Sequence, residues 1–195
     1  ETRRYLARGG VPLAGGGRAF DFASQSTTRL LLDLVTVPTG ESDTDVALRR
    51  ELAERLLPSA LVGADALAVH RLLRRLNAAR ALAAEEAGDE TAPIPLTVAD
   101  LVDDPETWRV TLEKGAEAPG RRGWNDRSLA RALTKAAAMW EIAASGGERP
   151  QERLWALWEA CGVGEDWRSR AIRSDEASAW FDDQLDAVVA LMRVA

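Results

Sequence analysis

The chain has 195 residues, a length that fits one domain or one domain with a small appendage. Its composition, 46% hydrophobic and 29% charged, is typical of a globular protein and excludes a disordered or collagenous chain. The formal net charge of −6 gives no overall electrostatic reason to expect a nucleic acid as partner. The charge is uneven, because residues 45–80 contain seven arginines and four acids whereas residues 85–106 contain eight acids and no base. A positive patch that faces DNA would therefore be local.

The first part of the chain predicts the end of a helix, a loop and a second helix. Residues 2–8 have the pattern of the last turns of an amphipathic helix, which the two following glycines would end. We expect residues 11–13 to be extended and the three glycines of residues 15–17 to form a loop. Residues 28–37 are rich in leucine on one face, which favours a helix over a strand. Because the chain opens inside a helix and without a methionine, we expect it to be a piece of a longer protein.

The next segment predicts a helix hairpin. Residues 45–57 have apolar side chains at helical spacing and should end at Pro58, whose ring cannot continue a helix. A further helix over residues 65–84 would be capped by Asp65. The turn between them, residues 58–64, is short and contains a glycine, as in helix-hairpin units.

The remaining chain predicts several more helices. Residues 85–95 are acidic with two prolines, and residues 114–126 contain three glycines and a proline, so both should be irregular. The next helix would be capped at residues 125–126, and the last helix at Ser174 or Asp175. Helical periodicity covers residues 97–108, 129–142, 150–161, 167–172 and 180–192.

These elements predict an all-α fold, an irregular helical bundle with one helix-hairpin unit and at most one short extended segment near the N-terminus. We expect it to be a single helical domain over residues 1–195. Helical spacing places Trp140, Trp155, Trp158 and Trp180 on the inward faces together with Val189. In contrast, Trp124 lies among glycines and arginines, which indicates an exposed position.

The sequence predicts no catalytic, cofactor or metal site. An ATP-binding loop of the pattern GxxxxGK[ST] needs a lysine directly after a glycine, and neither lysine follows one. The only histidine, His70, and the only cysteine, Cys161, are too far apart in sequence to indicate a zinc or Cys-His site. We expect His70 at the surface and Cys161 in the core. The adjacent acids Asp103 and Asp104 point apart on a helix and should be solvated.

A single cysteine also excludes an internal disulfide, which is typical of a reducing compartment. The chain lacks a signal-peptide-like apolar segment and any apolar run near the roughly 18 residues that a membrane span needs. These features predict a soluble, cytoplasmic protein with no membrane partner. Arginine far outnumbers lysine, which indicates a GC-rich genome.

Three segments resemble one family of proteins in the same order. Residues 10–20 begin GVPL and continue through two glycines to a phenylalanine, and residues 55–65 are RLLPSALVGAD. The third segment, residues 154–191, contains LWALWEACGV and then DQLDAVVAL. The first two are similar to phrases in superfamily 1 DNA helicases of the UvrD, Rep and RecB type. The third is similar to actinobacterial helicase-nuclease proteins of the AdnA and AdnB kind.

The resemblance implies that the chain is the accessory subdomain called 2B, with residues 1–13 leaving the second motor domain. In that family the glycine-bearing turn of the hairpin lies on duplex DNA, where backbone amides and basic side chains contact phosphates. Matched residue by residue, Ser59 and Gly63 fall in this turn, whereas Val62 and Ala64 depart from the family's flanking residues. ATP and Mg²⁺ would belong to the motor domains of the parent helicase and not to this chain.

The arginines that follow the turn are further candidates for phosphate contacts, on charge alone; the alternative for them is a solvated helix face. The predicted DNA-binding residues are Ser59, Gly63, Arg71, Arg74 and Arg75. The implied partners are double-stranded or forked DNA, the motor domains of the parent protein and a partner helicase-nuclease subunit. The rival hypothesis is a non-catalytic helical module that binds another protein and no DNA, which the net charge of −6 favours.

Overall fold

The computed structural model describes residues 25–38, 40, 42–88, 92–117, 120–145, 149–173 and 177–194. Within these ranges the chain forms nine α-helices and no strand, which confirms the predicted all-α, irregular bundle. The helices are α1 (Ser26–Val35), α2 (Asp43–Leu56), α3 (Ala66–Glu86), α4 (Val98–Asp103), α5 (Glu106–Ala116), α6 (Arg121–Ala144), α7 (Pro150–Cys161), α8 (Gly164–Ala171) and α9 (Ser178–Val194). The predicted helix end, extended segment and loop in residues 2–17, and the predicted cap at Ser174 or Asp175, lie outside the described residues.

The longest helix, α6, is the centre of the bundle. It packs against α5, α7, α4, α1 and α3, while α9 packs against α8, α1 and α7. Its buried side chains recur every three or four residues, the spacing of one helix face. They are Leu129, Ala132, Leu133, Ala136, Met139, Trp140 and Ala143. None of the helices in the described ranges is both long and apolar enough to cross a membrane.

The predicted helix over residues 97–108 is divided between two helices. Asp104 has an extended backbone (φ −128°, ψ 91°) and ends α4, and Pro105 begins the next helix without an N–H to donate. Trp108 joins the two parts, because its indole N–H donates to the carbonyl of Leu101 at 2.8 Å. The side chain of Trp108 is only 2% exposed, so it forms part of the core.

Residues 114–126 are helical over most of their length, so the prediction of an irregular segment is wrong. The helices α5 and α6 extend into it from either side, and the predicted cap at Asn125 or Asp126 lies inside α6. The glycine at position 115 is explained by helix packing and not by an irregular backbone. A Cβ atom at Gly115 would lie 1.8 Å from the Oδ2 atom of Asp126, so this glycine permits the close approach of the two helices.

Two of the tryptophans predicted to face inward are exposed. Trp155 is 53% exposed, Trp180 is 42% exposed, and Val189 on the same helix as Trp180 is also exposed. A helix turns by about 100° per residue, so a side chain adjacent in sequence to the buried stripe lies along the surface. Trp140 is buried as predicted, and Trp124 is 64% exposed, which confirms its predicted position.

Candidate nucleic-acid interface

The predicted helix hairpin is confirmed as α2, a turn and α3. Asp65 precedes α3, and its carboxylate accepts the N–H groups of Leu67 and Ala68 at 2.8 and 3.1 Å. These bonds satisfy two of the amides that a helix start leaves without a partner, as the predicted cap requires. The helix α2 ends at Leu56 and is capped by Leu57, the residue before Pro58, in agreement with the predicted stop.

The turn is closed by its own hydrogen bonds. The carbonyl of Ser59 accepts the N–H groups of Val62 at 3.2 Å and Gly63 at 2.7 Å, and the N–H of Ala64 donates to Leu57 at 2.9 Å. The hydroxyl of Ser59 donates to the carbonyl of Leu56 at 2.6 Å, so this side chain supports the end of α2. The amides of Val62, Gly63 and Ala64 are therefore occupied within the protein.

Gly63 has the left-handed backbone conformation, with φ +74°, and a Cβ atom added there would meet no heavy atom within 4 Å. We expect Gly63→Ala to lower the free energy of unfolding by about 1–2 kcal/mol, because the left-handed region is strained for alanine. Gly63→Asn should cost less, since asparagine enters this region more readily. Urea denaturation measures both. An equal loss for the two variants would contradict a purely backbone cause.

A small surface groove lies where the turn, the start of α3 and the start of α6 meet. We call this groove, of about 160 Å³, the turn groove. It brings together Gly63, Arg71 and Trp124, which the sequence indicates for three separate reasons. Asn125 and Ser128 add an amide and a hydroxyl to its wall. Gly63 and Trp124 are 61 positions apart in the chain, yet both line this groove.

The other predicted DNA-binding residues lie elsewhere. Ser59 lines a separate groove of about 670 Å³ beside α1 and α2, where two arginines (Arg29 and Arg55) and two acids (Glu51 and Glu54) balance in charge. Arg74 is exposed on α3 and does not line the turn groove. The five candidates therefore do not form one site.

Arg75 has a partner inside the protein. Its Nη1 atom lies 3.4 Å from the Oδ2 atom of Asp126, and its Nη2 atom donates to the carbonyl of Thr111 at 3.4 Å. Asp126 is 9% exposed, and a buried carboxylate needs such a partner. Arg75 thus ties α3 to α5 and α6 beneath the turn groove and is better explained as a structural residue.

The sequence patterns did not indicate two further cations beside this groove. The Nζ atom of Lys135 donates to the carbonyl of Leu61 at 3.3 Å and so holds the turn against α6. At about 100° per residue, Trp124, Ser128, Arg131 and Lys135 fall within about 60° of one another on α6. Arg131 is exposed on this face. The spacing of these four residues along α6 can be read from the sequence. The contact of Lys135 with the turn cannot, because it joins residues 74 apart in the chain.

Basic residues are concentrated on the two helices that form the turn groove. The helix α3 contains four arginines and, in its last turn, two glutamates, and α6 contains four arginines and one lysine against two acids. The two helices carry charges of +2 and +3 while the whole chain carries −6, so the rest of the chain carries −11. Asp65 lines the groove as well, but its carboxylate caps α3. The net charge of the chain therefore hides two basic helices.

Two groups outside the groove have shifted pKa values. Burial raises the pKa of the Cys161 thiol, which is fully buried as predicted. Partial burial also raises the pKa of the Asp103 carboxyl, against the opposite effect of a hydrogen bond from the Trp140 indole. Among the described residues, no cluster of three histidine, cysteine or acidic side chains could hold a metal ion. His70 is exposed, as predicted.

No family model matches the chain, and neither the curated proteins nor the solved structures gave a significant match. The similarity to UvrD-type helicases therefore stays a prediction. The turn groove is lined by one arginine, one aspartate that caps α3, and an exposed tryptophan ring, on the surface of a helical bundle.

Proposed function

We propose that this protein is an accessory domain of an ATP-dependent DNA helicase of the UvrD type, active in DNA repair or recombination. In this role the turn groove contacts duplex or forked DNA and regulates unwinding. The observation that carries the DNA contact is the meeting of Gly63, Arg71 and Trp124 in one groove between two basic helices. The helicase assignment rests on the order of the three similar segments.

The contacts with phosphate come from side chains. The N–H groups of Val62, Gly63 and Ala64 donate within the turn, so in this proposal arginine side chains supply the phosphate contacts. Arg71 lines the groove, while Arg74 and Arg131 are exposed on the helices at either side. A guanidinium group binds phosphate through two parallel hydrogen bonds, which positions DNA without reading its sequence.

ATP and Mg²⁺ are bound by the motor domains of the parent helicase in this proposal. Those motor domains, and a partner helicase-nuclease subunit, are the protein partners of the accessory domain. Its contribution is to hold the duplex near the point of strand separation, so it does not hydrolyse ATP alone.

Charge reversal on α3 tests the DNA contact. We expect Arg71→Glu with Arg74→Glu to weaken binding of a labelled forked duplex by at least about tenfold, because two phosphate contacts become repulsive. Fluorescence anisotropy over a range of salt concentrations measures this. The slope of log affinity against log salt should also fall by about 2. Arg75 is left unchanged, since its contacts with Asp126 and Thr111 are structural.

The matched control changes the same number of charges elsewhere. Arg168 and Arg193 are exposed on α8 and α9, so their double change to glutamate should leave the affinity near that of the wild type. An equal loss in both double variants would show that only net charge matters. If the wild type does not bind forked duplex at low salt, the rival protein-binding module is favoured instead.

A further inference from the structure

We infer that the turn groove binds an unpaired nucleobase, stacked on Trp124, beside a phosphate held by Arg71. The inference rests on the proposed function and narrows its ligand from DNA in general to DNA with an unpaired strand. The paired interior of a duplex would then bind only through the cations, without the ring.

Trp124 differs from the other exposed tryptophans. The indole of Trp155 donates to Glu159 at 2.8 Å, and Trp180 packs edge-to-face on Trp167 with ring centroids 5.6 Å apart. Each thus interacts with a side chain of its own region. Trp124, at 64% exposed, forms a wall of the turn groove. A large ring left in water at such a position offers a platform for a flat ligand.

The surroundings of the ring favour a nucleobase over an apolar peptide. Arg71 lies in the same groove, and Arg131 is exposed on the same face of α6 as the ring. The carboxylate of Asp65 also lines the groove but is held by the amides of Leu67 and Ala68, so the two arginines complement phosphate. The amide of Asn125 and the hydroxyl of Ser128 can hydrogen-bond the polar edge of a base. A groove of about 160 Å³ accommodates a single planar ring.

Base pairing decides which form of DNA can use the ring. In a duplex both faces of each base are covered by its stacked neighbours, so a protein ring reaches a base face only at an end or an unpaired position. Gly63 has no side chain, and an added Cβ would meet no atom within 4 Å, so this edge of the groove is open. The strand emerging from a fork supplies a base and a phosphate together.

The experiment compares three labelled DNAs: a thymidine oligonucleotide, a forked duplex and a blunt duplex. Trp124→Ala should weaken binding of the first two by about 5- to 150-fold, the range found for loss of one stacked base. Binding of a long blunt duplex should change least, because only its two ends expose a base face to the ring. Trp124→Phe should keep most of the affinity, since phenylalanine also stacks. The control is Trp155→Ala, which removes an exposed tryptophan on α7 and should change none of the three.

The outcomes separate this inference from the proposed function. If Trp124→Ala binds all three DNAs as the wild type does, while the α3 charge reversal weakens binding, the base contact is wrong and the proposed function stands. If the wild type binds none of the DNAs at low salt, both are wrong. Quenching of tryptophan fluorescence by unlabelled thymidine oligonucleotide gives a second test, because Trp124→Phe should abolish that quenching. Circular dichroism and melting temperature confirm that each variant is folded.

Discussion

Replacing Trp108 with alanine is expected to lower the free energy of unfolding by about 3–5 kcal/mol, the cost of deleting a buried aromatic side chain. Trp108 is 2% exposed and lies where α5 returns on α4. Its loss leaves a cavity and also removes the donor for the carbonyl of Leu101. Since a domain of this kind has a total stability of about 5–15 kcal/mol, this single change removes a large fraction of it.

Urea denaturation followed by circular dichroism measures the effect. The variant Trp108→Phe separates the contribution of the apolar volume from that of the hydrogen bond to Leu101. Phenylalanine keeps much of the apolar volume but cannot donate a hydrogen bond to the carbonyl of Leu101. The free energy of unfolding of this variant should therefore fall by about 1–3 kcal/mol, the cost of an unsatisfied buried group. Trp155→Ala is the surface control and should change stability by less than about 0.5 kcal/mol. A loss below about 1 kcal/mol for Trp108→Ala would mean that α4 and α5 are not held together through this ring.

Local signals predicted most of the helices because their causes act over a few residues. Asp65 caps α3 through the two amides that follow it, and the ring of Pro58 ends α2 wherever the remaining chain lies. Pro150 begins α7, where its missing N–H costs nothing, and Gly162 ends it in the left-handed conformation, with φ +59°. These helix starts and ends depend on residues that are neighbours in sequence, so they can be predicted from the sequence alone.

The wrong predictions have causes that act across the fold. The glycine at position 115 looked like a sign of irregular structure, but it allows the carboxylate of Asp126 to approach α5. Asp126 in turn looked like a helix cap, whereas its partner is Arg75, 51 residues away. No local pattern distinguishes a glycine needed for a turn from one needed for helix packing.

The candidate site was predicted only in part for the same reason. Gly63 and Arg71 were among the predicted residues, and both line the turn groove, while Ser59 lies at another groove. The neighbours that complete the site, Trp124 and Lys135, come from a helix that begins more than 50 residues later in the chain. Their approach to the turn depends on how α6 packs, which residue spacing alone does not give.

The turn itself is anchored in the core by Leu61, and this anchor leads to the second large expected effect. Leu61 is fully buried although it lies in the turn and not in a helix. Its carbonyl accepts a hydrogen bond from the ammonium group of Lys135 at 3.3 Å, so both the side chain and the backbone of Leu61 hold the turn against the rest of the fold. Because Gly63 follows two residues later, the position of one wall of the groove depends on this anchor.

Leu61→Ala should therefore lower the free energy of unfolding by about 2–5 kcal/mol and also weaken binding of forked duplex by the folded protein. Leu61→Met conserves volume and should cost less than about 1.5 kcal/mol, with affinity near that of the wild type. Leu112→Ala is the matched control, since it also empties a fully buried leucine site but lies on α5, outside the turn. It should lose similar stability and keep its affinity. If Leu61→Ala loses stability while its folded fraction binds DNA unchanged, the groove is set by α6 alone, and the turn is not part of the DNA contact.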